Sequence, residues 1–125
     1  MATSGFSDEQ LAGQRLIVGF EGTDLNADLK YFIETLKIGG IVLFSRNLTT
    51  PEQIKHLCGS VQQYARSADQ PPLIIAIDQE GGTVARLKPP FSQFPGNSKM
   101  RDKKEAEQFA RITAKELTDL GVKYQ

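Results

Sequence analysis

The chain has 125 residues, 15 basic and 15 acidic, with 39% hydrophobic and 24% charged residues. That composition fits one ordinary globular domain with a single core. The balanced charge carries no block of one sign, so it gives no electrostatic case for nucleic acid or an anionic membrane surface. No apolar run approaches the roughly 20 residues that a membrane span needs.

Met1–Gln10 has neither a basic n-region nor an apolar h-region, which predicts no secretory signal. Ser7-Asp8-Glu9-Gln10 has the form of a capping box and predicts a short helix. Leu16–Phe20 reads as a first strand that exits through Glu21-Gly22. Asn26 is placed to cap a second helix, whose inner face is Leu29, Phe32, Ile33 and Leu36 at i, i+3, i+4 and i+7. Gly39-Gly40 stops it, and Gly40–Phe44 is a second apolar strand followed by a Ser45-Arg46-Asn47 loop.

Thr50-Pro51-Glu52-Gln53 combines a cap, a proline at the first helical position and a glutamine at the third. The helix that follows carries Ile54, Leu57, Cys58, Val61 and Ala65 on one face. After a polar turn at Ser67–Pro72, Leu73–Ile77 is a third strand ending at Asp78. Gln79–Lys99 reads as a long Gly- and Pro-rich loop. Asp102 caps a last helix with Ala106, Phe109, Ala110, Thr113 and Leu117 facing inward, Gly121 ends it, and Val122 starts a fourth strand.

Strands that are apolar throughout predict an α/β fold with a parallel sheet buried on both faces. Two architectures satisfy this order. One is an open doubly wound sheet, which can be complete at this length. The other is a (β/α)8 barrel, which takes about 250 residues. Both place function at the carboxyl ends of the strands.

The third of those ends carries the most chemistry. Asp78 leaves the core where a carboxylate is costly to desolvate unless paired, and it can accept two hydrogen bonds from neighbouring hydroxyls. It could equally cap a helix or anchor a turn. Gly81-Gly82 removes side chains where backbone must turn or approach a ligand. Arg86 offers a planar set of donors, and Glu80 is either a ligand group or an ion-pair partner for Arg86 or Arg46. No Gly-x-Gly-x-x-Gly or Gly-Lys-Ser/Thr pattern supports nucleotide binding.

His56, the only histidine, lies mid-helix at a surface position, and no His, Cys or carboxylate cluster suggests a metal. Cys58, the only cysteine, is expected to be buried and inert. It allows no internal disulfide, so a reducing cytoplasm is the expected location. Ser45 has no nucleophile-elbow pattern, and Arg46 either reaches into the mouth or, the preferred reading, forms a structural ion pair.

The stretches Ile38–Asn47, Gln53, Ile75–Leu87 and Phe94-Pro95 together resemble the N-terminal barrel domain of glycoside hydrolase family 3. The Asp-Gln-Glu-Gly-Gly-x-Val-x-Arg string from Asp78 to Arg86 is similar to that of its β-N-acetylhexosaminidase branch, which includes cytoplasmic enzymes that recycle cell-wall muropeptides. The resemblance runs from about Gln10 to Gly121. It implies a partial (β/α)8 barrel of about three βα units plus a terminal helix, with residues 1–125 an N-terminal fragment of the barrel domain.

It further implies that Asp78 binds sugar hydroxyls in the subsite of the non-reducing GlcNAc, that Arg86 supports the same sugar, and that Glu80, Gly81 and Gly82 shape the loop. Thr83 stands where the family often has arginine, and Ala85 where it commonly has a polar residue. The family's retaining mechanism uses an aspartate nucleophile late in the barrel and a histidine acid/base on a mobile loop. Neither matches a residue here, since His56 sits in the wrong element.

The expectation is therefore part of a retaining hydrolase of terminal β-linked GlcNAc, in a glycan or muropeptide, that binds sugar without a catalytic residue of its own. No cofactor or metal is implied. The alternative is a non-catalytic sugar-binding or self-associating module from a truncated product. A partial barrel leaves strand edges and an apolar inner face open, so self-association or assembly with a complementary barrel fragment is expected.

Overall fold

The computed structural model describes residues 5–122. Its elements in order are α1 (Asp8–Gly13), β1 (Ile17–Val18), α2 (Ala27–Glu34), β2 (Gly40–Leu43), α3 (Pro51–Ser67), β3 (Ile74–Ile77), β4 (Gln79–Gly81), β5 (Val84–Ala85) and α4 (Lys103–Leu120). The helix starts are set by side chains that accept from backbone N–H groups three residues on. Ser7 accepts from Gln10, Asn26 from Leu29, Thr50 from Gln53 and Asp102 from Glu105. The Gln10 side chain returns the bond to Ser7, completing the capping box. Gly121 closes α4 in the left-handed conformation at φ 92°.

β1, β2 and β3 form one parallel sheet in that order, with Ile17 and Ile74 both level with Gly40. The strands therefore progress in one direction. A doubly wound sheet reverses at a switch point and carries helices on both faces. Here α2 packs on α3 and α3 on α4, and their apolar stripes meet one side of the sheet in a single cluster. The described residues thus match the opening units of a barrel and not the doubly wound alternative.

Burial along the strands alternates. Ile41, Leu43, Ile75 and Ile77 are buried beneath the helices, whereas Val42, Ile74 and Ala76 on the opposite face are half-buried. The expectation of two covered faces is corrected accordingly, because α2, α3 and α4 all lie on one side. β1 is also shorter than its apolar run, and Leu16 and Ile17 stay 47% and 50% exposed.

Two helical faces differ from expectation as well. α2 ends at Glu34, and the chain turns away through Lys37 at φ 55°, so Leu36 leaves the apolar stripe and is exposed. In α4, Ala106 and Ala110 are exposed, and the buried residues are Thr113, Leu117 and Leu120. The early turns of α4 meet the preceding loop, where Phe109 packs edge-on against Phe94 at 5.0 Å. Val122 is buried but not in a strand, and the rest of the expected fourth strand lies outside the described residues.

Cys58 is buried against the core, and desolvation pushes its thiol up to about 11, so it stays protonated and unreactive at neutral pH. His56 is exposed on α3, with Ser60 Oγ 3.4 Å from its Nε2. No described helix is long and apolar enough to cross a membrane.

Candidate functional site at the carboxyl ends of the strands

The expected Gly- and Pro-rich loop after β3 contains a hairpin. β4 pairs antiparallel with β5, Gln79 opposite Ala85 and Gly81 opposite Val84, with a register shift between Gln79 and Gly81. The turn is possible because Gly81 and Gly82 sit at φ 85° and 61° and because neither has a side chain. A Cβ on Gly82 would lie 2.8 Å from the Pro95 carbonyl oxygen, and one on Gly81 3.0 Å from the Phe94 carbonyl oxygen and from Gly96 N. Gly82 N–H donates to Phe94 O at 2.7 Å, locking the hairpin tip to the following segment.

This fold-back brings Arg86 beside Asp78. Arg86 Nη2 lies 3.5 Å from Asp78 Oδ2, with the side chains 27% and 53% exposed. Arg86 Nε is buried and has no hydrogen-bond acceptor among the described residues. A buried donor left unmade costs about 1–3 kcal/mol and calls for an acceptor. A half-exposed carboxylate next to a guanidinium with donors to spare can take a polyol, the carboxylate accepting from two hydroxyls and the guanidinium donating to a third oxygen.

Glu80 does not join this pair. It is exposed and lines, with Thr83, Asn97 and Lys99, a cavity of about 420 Å³ between the hairpin and the 95–99 segment. The two arginines that could have taken it lie against other carboxylates, Arg86 against Asp78 and Arg46 against Glu21. Arg46 Nε is 3.0 Å from Glu21 Oε1 and 3.1 Å from Phe20 O, and its guanidinium stands 4.8 Å over the Phe44 ring. It thus closes a structural ion pair, as its position predicted.

Several residues hold this edge beyond the roles expected of them from the sequence. Asn47 is fully buried. Its amide nitrogen donates to Phe20 O at 3.1 Å and Gly22 O at 2.8 Å, and its oxygen accepts from Phe44 N at 3.0 Å. One side chain therefore ties the exits of β1 and β2 together. Gln53 extends the tie, donating to Thr23 O and Asn47 O and accepting from Thr49 N. Gln79 is 5% exposed, and its side-chain oxygen accepts from Arg86 N and Leu87 N. Farther along, Glu116 on α4 accepts from the Ser92 N–H and hydroxyl, pinning the loop that follows Arg86. A signal for Gln79 was present. Continuing the alternation from Ile75 and Ile77 puts it on the buried side, where an amide must be bonded.

The chain matches the glycosyl hydrolase family 3 N-terminal domain over residues 8–125. It is 34% identical over 111 residues to a β-hexosaminidase of Pseudomonas aeruginosa, covering 86% of this chain and 32% of that protein. Among solved structures, a family 3 β-N-acetylglucosaminidase from Paenibacillus superposes with a TM-score of 0.90 at 37% identity, over 94% of this chain and 23% of that one. NagZ from Neisseria gonorrhoeae, solved with N-trifluoroacetyl-D-glucosamine, superposes with a TM-score of 0.72 at 29% identity, over 86% of this chain and 33% of its own. The chain thus spans between 23% and 33% of the length of these relatives. Its consecutive parallel strands, with helices on the outer side, form part of a (β/α)8 barrel. The chain belongs to glycoside hydrolase family 3, within that family's N-terminal domain.

Proposed function

We propose that this chain supplies the sugar-binding strand end of a retaining β-N-acetylglucosaminidase that acts on terminal β-linked GlcNAc. In this reading Asp78 accepts from hydroxyls of the non-reducing GlcNAc, Arg86 supports the same sugar, and Glu80, Gly81 and Gly82 shape the loop that carries them. The observation that carries it is the Asp78–Arg86 pair at the mouth of the sheet, with Arg86 Nε buried and lacking an acceptor among the described residues. The likeness to β-hexosaminidases supports the substrate class. We place the activity in the cytoplasm, in the recycling of GlcNAc-containing muropeptides, and assign no catalytic residue to these 125 residues.

The test is a titration of the isotopically labelled chain with GlcNAc. Saturable NMR shifts are expected at residues 78–87, together with no release of nitrophenol from its β-GlcNAc glycoside. Asp78→Ala should weaken binding about tenfold or more, the usual loss when a hydrogen bond to a charged group is removed. An unresponsive wild-type chain, or a variant that binds as tightly, would refute the sugar reading. Robust nitrophenol release would refute the division of labour.

The half-open inner face of the sheet and the exposed Leu16 and Ile17 at the start of β1 favour a second property, association with another copy or with a complementary barrel fragment. Sedimentation of the chain alone should show concentration-dependent dimers or larger species. A stable monomer at high concentration would count against it.

A further inference from the structure

We propose that Gln79 is the positioning residue of the sugar pair, holding the base of Arg86 beside Asp78. The proposal rests on the reading of Asp78 and Arg86 as sugar contacts. Asp78 and Gln79 are neighbours at the passage from β3 to β4, one exposed and the other buried, so their side chains leave on opposite sides. Asp78 faces solvent at the mouth, while Gln79 is 5% exposed and reaches behind the hairpin. There its oxygen accepts from Arg86 N at 2.8 Å and from Leu87 N at 3.0 Å. Leu87 is in the core at 2% exposure, so the clamp fastens the base of Arg86 to an immobile segment.

The Arg86–Asp78 contact cannot do this for itself. At 3.5 Å, with Asp78 half exposed, it is a loose pair of the kind that contributes little. An arginine has four rotatable side-chain bonds, and a guanidinium aimed at a ligand must have its base fixed before its tip can be. Ala85, the last residue of β5, is level with Gln79, so the two N–H groups that follow it come within reach of one amide oxygen. The same dipeptide thus provides a sugar contact and the clamp on its partner.

The test is a double-mutant cycle on the chain, read by GlcNAc titration followed by NMR, with thermal melts recorded in parallel. Gln79→Leu should weaken GlcNAc binding by about fivefold or more, since it removes the acceptor of two N–H groups, one buried and one part-buried. Gln79→Glu keeps an acceptor oxygen and should restore binding to within about threefold of wild type. In an Arg86→Ala background, Gln79→Leu should change affinity by less than about twofold, although its effect on melting persists. A residue that merely supports the fold would lower affinity by the same factor in both backgrounds.

Additive losses across the cycle, or wild-type affinity in Gln79→Leu, would overturn the proposal while leaving the sugar reading intact. No response of the wild-type chain to GlcNAc would instead remove the sugar reading and the proposal with it. If Gln79→Leu fails to fold, Gln79→Met replaces it in the cycle. Failure of both to fold would assign Gln79 to the fold alone and likewise overturn the proposal.

Discussion

Asn47→Ala is expected to lower the stability of the chain by about 3 kcal/mol, a large share of the roughly 5–15 kcal/mol that a domain possesses. Three bonds vanish around a side chain that is itself fully buried, those to Phe20 O, Gly22 O and Phe44 N. Phe20 O keeps its bond from Arg46 Nε, and Gly22 is exposed enough to recruit water, so the heaviest penalty falls on the Phe44 N–H. The loss should show as a shift in urea midpoint without a change in slope.

Asn47→Asp separates the donors from the acceptor. The introduced carboxylate still accepts from Phe44 N but turns a charge toward two carbonyl oxygens, which raises its folded-state pKa above the unfolded value. Its penalty is therefore fully present above the folded pKa and shrinks as pH falls, because protonation returns one donor. Acidification should recover part of the Asn47→Asp deficit and none of the Asn47→Ala deficit. A loss below about 1 kcal/mol for Asn47→Ala would show that the exits of β1 and β2 hold each other without this side chain.

The distance that each bond spans explains what the sequence could tell. Ser7, Asn26, Thr50 and Asp102 act three residues ahead, and a local pattern reveals such caps. The three parallel strands were legible from apolar runs, and the motif from Asp78 to Arg86 identified the family before any geometry. Asn47 bonds to residues 25 and 27 positions earlier, so nothing near it announces its role. The same holds for Glu116, which holds Ser92 across 24 positions.

Apolar runs also report hydrophobicity without saying what covers it. That is why Leu16, Ile17 and Leu36 read as core yet lie exposed. The β4–β5 hairpin was hidden for a different reason. Its strands are three and two residues long, and its turn is written in glycines that equally signal a loop.

Gly39→Ala should cost about 3 kcal/mol or more, the upper range for overpacking, because the obstruction is backbone on both sides. A Cβ on Gly39 would lie 2.2 Å from Gln14 O and 2.8 Å from Gln14 C. The contact cannot relax by moving one side chain. Gly39 N–H bonds to Gly13 O and Leu16 O, Gly40 N–H bonds to Leu16 O, and the Gln14 side chain donates to Lys37 O and Ile38 O. Opening a gap for one methyl therefore strains five hydrogen bonds that fasten the end of α1 to the start of β2. The facing glycine is as tight, since a Cβ on Gly13 would sit 2.1 Å from Leu36 O.

Gly59, in the middle of α3, is the control. A Cβ there meets nothing within 4 Å, so Gly59→Ala should stabilise the chain by about 0.5–1 kcal/mol through helix propensity alone. Paired urea melts of the two variants should move in opposite directions. A Gly39→Ala loss below about 1 kcal/mol would mean that α1 can lift off β2 cheaply. The clasp would then not fix where the first strand enters the sheet, and the short, exposed β1 would owe its register to Asn47 and Arg46 at its far end.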